Sequence, residues 1–177
     1  SVEDMSEMFA KTKNLTTVNL SSFNTSNVKD MKNMFRYASA VTSLDLSSFD
    51  TREVTNMRSM FAHMKALIIL NISSFRTPKV TDMSGMFLNM ENVTSLDLSR
   101  FDTSKVTNMR SMFQGMAKLA NLDVSSFDTK MVTDMAFMFY RSLLDSENAV
   151  LDLSSFDTRN VTETSSMLAY TKVKTIY

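Results

Sequence analysis

Leu44-Asp45-Leu46-Ser47-Ser48-Phe49-Asp50-Thr51, followed by Val54-Thr55-Asn56-Met57-Arg58-Ser59-Met60-Phe61, carries two different hydrophobic periods in succession. Ser43 to Ser47 alternates polar and apolar, the period-two signal of a half-buried strand. Ser48 to Thr51 supplies turn and cap residue types. Val54, Met57, Met60, Phe61 and Met64 then fall at i, i+3, i+6, i+7 and i+10. That spacing predicts one apolar face of a short helix, with Asp50 or Thr51 as its N-cap.

The same stretch recurs along the chain. Val2, Val28, Val54, Val80, Val106, Val132 and Val161 are separated by five steps of 26 residues and a last step of 29. Met5, Met31, Met57, Met83, Met109 and Met135 follow three residues behind, and Met8, Met34, Met60, Met86, Met112, Met138 and Met167 three further on. Twelve of the 13 Phe residues lie in two more columns, so the period is not an accident of composition. A strand-plus-helix unit of this length cannot bury its apolar face alone, whereas stacked units can. The expectation is therefore an α/β repeat, a leucine-rich-repeat-like solenoid with a parallel sheet on one face and short helices on the other. Its hand is expected to be right, from the crossover rule. One domain covers 1–177, in about seven 26-residue units with partial units at both ends and a three-residue insertion within 140–150. The chain starts and stops inside a unit and shows no polar cap, which suggests a segment of a longer protein.

Composition excludes several chemistries. With 2 Gly, a phosphate-cradling glycine loop is out; with no Cys and 1 His, so are disulfides, thiolate sites and multi-histidine metal clusters. Lys+Arg 19 against Asp+Glu 19 argues against a nucleic-acid partner. No run of apolar residues is long enough for a transmembrane helix, and no signal peptide opens the chain.

The unit Leu44 to Thr51 and Val54 to Phe61 resembles the 26-residue repeat of bacterial surface proteins, the BspA-like leucine-rich repeat, over the whole chain. The resemblance implies an extracellular, envelope-attached protein, often a lipoprotein, that binds host or neighbouring-cell surfaces. Members of that family often carry Cys three residues after the Met-Phe pair. Here Thr12, Ala38, Met64, Met90, Met116, Ser142 and Thr171 stand there.

Candidate sites are few. Asn19, Asp45, Asn71, Asp97, Asp123 and Asp152 form an exposed column, and a cation such as Ca2+ could bridge Asp97, Asp123 and Asp152. One oxygen-bearing side chain per unit gives too few ligands for a tight site, so a solvated acidic stripe is expected, with no metal and no cofactor. Asn24, Asp50, Arg76, Asp102, Asp128 and Asp157 read as helix caps, with Arg76 placed to pair with Asp50 or Asp102. The Thr column at Thr25, Thr51, Thr77, Thr103, Thr129 and Thr158 reads as turn chemistry. Sixteen of the 17 Met residues sit in repeat columns and read as core, Met131 being the exception. His63 has no identifiable catalytic neighbours, so no enzymatic activity is expected.

The segment after each Met-Phe pair varies most from unit to unit. Tyr37, His63, Leu88, Gln114, Tyr140 and Arg141 are expected to line one edge and to hold a ligand. Phe137 also stands off the apolar face. The leading expectation is a non-enzymatic cell-surface adhesion module recognising a protein or glycan. The alternatives are a structural spacer that projects another domain, or an intracellular repeat scaffold.

Overall fold

Among the described residues, three of the four strands end at or beside an Asp or Asn that captures the backbone two residues ahead. Asp45 Oδ1 accepts the Ser47 N–H at 2.9 Å, and Asn71, Asp97, Asp123 and Asp152 do the same for Ser73, Ser99, Ser125 and Ser154. An N–H turned onto a side chain cannot extend a ladder. The computed structural model, which describes residues 2–144 and 149–177, accordingly holds only short strands. β1 (Ser43–Asp45) pairs in parallel with β2 (Ile69–Asn71), Leu44 opposite Leu70. β3 (Val150–Leu151) pairs in parallel with β4 (Thr175–Ile176). Single parallel bridges join Asp4, Asp30, Asn56, Asp82, Asn108, Asp134 and Glu163 in an unbroken series. Successive units are thus stacked in register.

The expected helices do not form: among the described residues there is no helix. The α/β leucine-rich-repeat-like architecture, with a sheet on one face and helices on the other, is replaced by stacked turns, two small parallel sheets and isolated bridges. The backbone shows why. From Met57 to Met64, alternate N–H groups point in two directions. Met57, Ser59, Phe61 and His63 donate to the next unit at Asp82, Ser84, Met86 and Leu88, at 2.7–3.0 Å. Met60, Ala62 and Met64 close tight turns onto Met57, Ser59 and Phe61. A helix would use those N–H groups within the segment and leave the neighbouring unit unbonded. A helix this short is marginal alone, whereas the ladder is repeated at each unit. Ser59 and His63 have φ of 53° and 63°, in the left-handed region that a helix excludes.

The spacing that suggested a helix face still selects the core. Met57, Met60, Phe61 and Met64 are buried, as are their counterparts in the neighbouring units. Phe9, Phe35, Phe61, Phe87, Phe113 and Phe139 stack as a column, with centroids 5.2–5.9 Å apart and rings within 12° of parallel. Each such pair adds about 0.5–1.5 kcal/mol beyond the apolar area it buries. Leu46, Ile72, Leu98 and Val124 close the core from the strand side. Met131 is exposed, as its place outside the columns predicts.

The cap and threonine columns also take other roles than expected. Asn24, Asp50, Asp102, Asp128 and Asp157 each cap a turn, not a helix, by accepting the N–H two residues on. Arg76 pairs with neither aspartate; its guanidinium donates to the carbonyl of Phe75. The threonines of the Thr25 column, except the exposed Thr158, are buried and bridge units. Thr51 Oγ1 donates to the Arg76 carbonyl at 2.7 Å and accepts the Arg76 N–H at 2.8 Å. The expected insertion within 140–150 falls partly at 145–148, outside the described residues. On its far side the bridging bonds span 28 residues where earlier ones span 25, as from Thr129 to Asp157 against Thr103 to Asp128.

Candidate functional site

The turn segments build the variable face. In each unit, two residues with positive φ recur at fixed positions, and Leu143 adds a third in one unit. One column is Glu7, Asn33, Ser59, Gly85, Ser111, Phe137 and Ser166; the other is Lys11, Tyr37, His63, Asn89, Gly115, Arg141 and Tyr170. The six residues expected on one edge therefore divide. Tyr37, His63 and Arg141 occupy the second column, while Leu88, Gln114 and Tyr140 stand one position earlier. All but the exposed Arg141 are half-buried.

Two clusters form on this face. At one end the Arg36 guanidinium lies 5.1 Å from the Tyr37 ring centroid, and Tyr37 stacks on His63 at 4.3 Å and 5°. The Asn89 side-chain amide meets His63 Nδ1 at 3.2 Å. A Cβ on Gly115 would come within 2.0 Å of Asn89 Oδ1, so only glycine lets that amide sit there. Burial holds the His63 pKa below its ordinary value, and the nearby Arg36 and Lys65 charges push the same way. At the other end Arg110 covers Phe137 at 5.1 Å, Phe137 meets Tyr140 edge-on, and Tyr140 meets Tyr170 edge-on. Arg141 lies over both tyrosines, at 5.4 and 5.5 Å.

Between the clusters runs an open groove of about 230 Å³. Arg36, Arg58 and Arg110 edge it; Ser59, Ser84, Gly85 and Ser111 form its floor beside Leu88. Arg110 reaches Asp134 only at 3.5 Å, and among the described residues no carboxylate pairs with Arg36 or Arg58. The Arg36 Nε is buried without an acceptor. A larger cavity, about 630 Å³, lies at the first unit beside Met5, Met8 and Phe23. There the end of the core is open, and Met8 is exposed where Met34 and Met60 are buried.

The acidic column is occupied otherwise. Asp97 and Asp123 are each held below the ordinary carboxylate pKa by hydrogen bonds from the Ser99 and Ser125 hydroxyls and backbones, and Ser154 does the same for Asp152. Each carboxylate thus caps its own turn, and Asn71 donates to Asp45 across one step of the column at 3.0 Å. Among the described residues no group of three or more His, Cys, Asp or Glu is arranged to hold a metal ion. No helix among them is long and apolar enough to cross a membrane.

Sequence reading missed Arg58, Arg110 and the serine floor, and left Arg36, which lies in the variable segment, off the candidate edge. The signal lay in the glycines. The chain has only 2, Gly85 and Gly115, and they fall one in each left-handed column. Asn33 and Asn89, of a type that tolerates that conformation, fall in the same two columns.

A search of curated proteins and a search of solved structures find no match to this chain. A family model does match, over residues 1–94 and again over 62–175. The match is consistent with the surface-repeat resemblance drawn from the sequence and does not single out the BspA-like leucine-rich type. The chain belongs to the family described as Mycoplasma protein of unknown function, DUF285.

Proposed function

We propose that this chain is a non-enzymatic binding module of a bacterial cell surface, holding a protein or glycan by the face that the turn segments build. The supporting observation is the contrast between columns. Met, Phe, Val and Thr recur from unit to unit and are buried, whereas Arg36, Tyr37, His63, Tyr140, Arg141 and Tyr170 differ from unit to unit and reach the surface. Aromatic and arginine side chains are what recognition surfaces use as anchors. The spacer reading draws on a different observation, the backbone ladder that ties each unit to the next.

Retention on a glycan array and on a panel of matrix proteins separates the two. The variant Tyr37→Asn/His63→Asn/Tyr140→Ser keeps residue types that tolerate positive φ where they are needed. A binding module gives a retained partner that the variant loses while its melting temperature holds. Equal retention by both chains moves the site off this face. A spacer gives no retention by either.

A further inference from the structure

The groove between the two clusters has the chemistry of an anion receptor. Net charge is zero over the whole chain, so a local excess of cations is not a by-product of composition. Many surface charges elsewhere are matched within the fold, as in Lys29–Glu3 at 2.8 Å, Lys65–Glu91 at 2.8 Å and Lys79–Glu53 at 2.6 Å. Arg36 and Arg58 have no such match. The buried Arg36 Nε lacks an acceptor, and a buried donor left unpaired is destabilising until something supplies one. The Ser59, Ser84 and Ser111 hydroxyls that line the same groove make no hydrogen bond with the described residues. Guanidinium forks with neighbouring hydroxyls suit the oxygens of a sulfate or carboxylate.

The spacing favours a chain of such groups over a single ion. Arg58 and Arg110 hold the same position two units apart, with Ser84 between them, roughly 10 Å at the usual separation of parallel strands. That is comparable to one disaccharide of an acidic polysaccharide. The Tyr37–His63 stack and the Phe137–Tyr140–Tyr170 cluster place aromatic rings at either end, beside which sugar rings can pack. Resting on the binding-face reading, we propose that this groove binds the sulfate or carboxylate groups of an acidic polysaccharide.

Isothermal titration calorimetry with a heparin fragment, a hyaluronan fragment and dextran tests this. The unaltered chain should bind heparin, hyaluronan or both, and not dextran; heparin alone points to sulfate, both to carboxylate as well. Arg58→Gln/Arg110→Gln should weaken the binding by about tenfold for each arginine. Gly85→Asn should also weaken it by about tenfold, since it puts a side chain on the groove floor. Asn33 holds the equivalent position at φ 58°, so that backbone accepts asparagine. Lys29→Gln/Lys79→Gln, a loss of charge away from the groove, should change affinity by no more than about twofold.

Absence of binding to both acidic polysaccharides overturns the proposal, as does an equal loss in the lysine variant. Equally tight binding of a DNA duplex also overturns it, because the groove would then be a general polyanion site. If the array finds a neutral glycan or a protein lost by the aromatic variant while heparin and hyaluronan fail, the binding face stands and this inference alone falls.

Discussion

Thr77 does between units what a peptide group does between strands. Its Oγ1 donates to the Asp102 carbonyl at 2.9 Å and accepts the Asp102 N–H at the same distance, with the side chain buried. Thr25, Thr51 and Thr129 repeat the exchange. Thr77→Val keeps the shape but leaves the Asp102 N–H and carbonyl unmatched, and should cost about 2–4 kcal/mol in urea unfolding. Thr77→Ser keeps both bonds and should cost clearly less; equal losses would mean that the methyl group matters and the hydroxyl does not. The turn-capping aspartates carry a pH dependence. Asp4, Asp45, Asp50, Asp97, Asp102, Asp123, Asp152 and Asp157 are all held below 3.8 by hydrogen bonds from the residue two ahead, Asp157 at about 2. A depressed carboxylate pKa contributes stability in full above 3.8 and loses it as pH falls through the folded value. The urea midpoint should drop most between pH 3.8 and about 2. His63, also depressed, adds a smaller loss that begins below 6.5. Asp97→Asn/Asp123→Asn preserves the acceptor, as Asn19 and Asn71 do in the same column, and should flatten the acid limb. An unchanged limb would remove these caps from the account.

The tight-turn segment is the element that sequence periodicity names wrongly. Met57, Met60, Phe61 and Met64 are spaced as a helix face, and the same spacing serves consecutive turns that send these side chains into the core. Periodicity reports which side chains are buried, not which carbonyl each N–H reaches. The inner columns were therefore legible in the sequence, and the backbone that carries them was not. Far-ultraviolet circular dichroism of the chain should lack helical minima, and a helical spectrum would overturn the turn assignment. Ser59 makes a finer test at φ 53°. Ser59→Val puts a β-branched side chain in the left-handed region and should cost about 2 kcal/mol. Ser59→Gly relieves that conformation at some cost in unfolded-chain entropy, so it should be neutral or stabilising by up to about 1 kcal/mol. A helix would invert the order, with glycine the worse of the two.

At the scale of the molecule, every inter-unit bond repeats at nearly the same step, so stability should follow the count of intact units. The legibility of the variable face has the same origin. Columns repeated for packing stand out against those that vary, which located Tyr37, His63 and Tyr140 in the sequence. Arg58 and Arg110 lay hidden, because their column reads as solvated helix surface until the turns bring it beside the left-handed positions. Stacking in register makes one last demand. Deleting residues 58–83 removes one whole period and joins Met57 to Ser84, preserving the Met spacing, the left-handed columns and the Thr-to-backbone bonds on either side. That chain should fold, with the same circular dichroism spectrum and a melting temperature lower by no more than about 10 °C. Deleting 58–82 instead leaves Met83 as one extra residue inside the turn. Ser84 and Gly85 are then displaced by one position, the φ > 0 requirement falls on the wrong residues, and Phe87 is out of register to take Phe61's place on Phe35. This second chain should lose its cooperative melt. Equal behaviour of the two deletions would show that the segment adapts freely and that the register is set elsewhere.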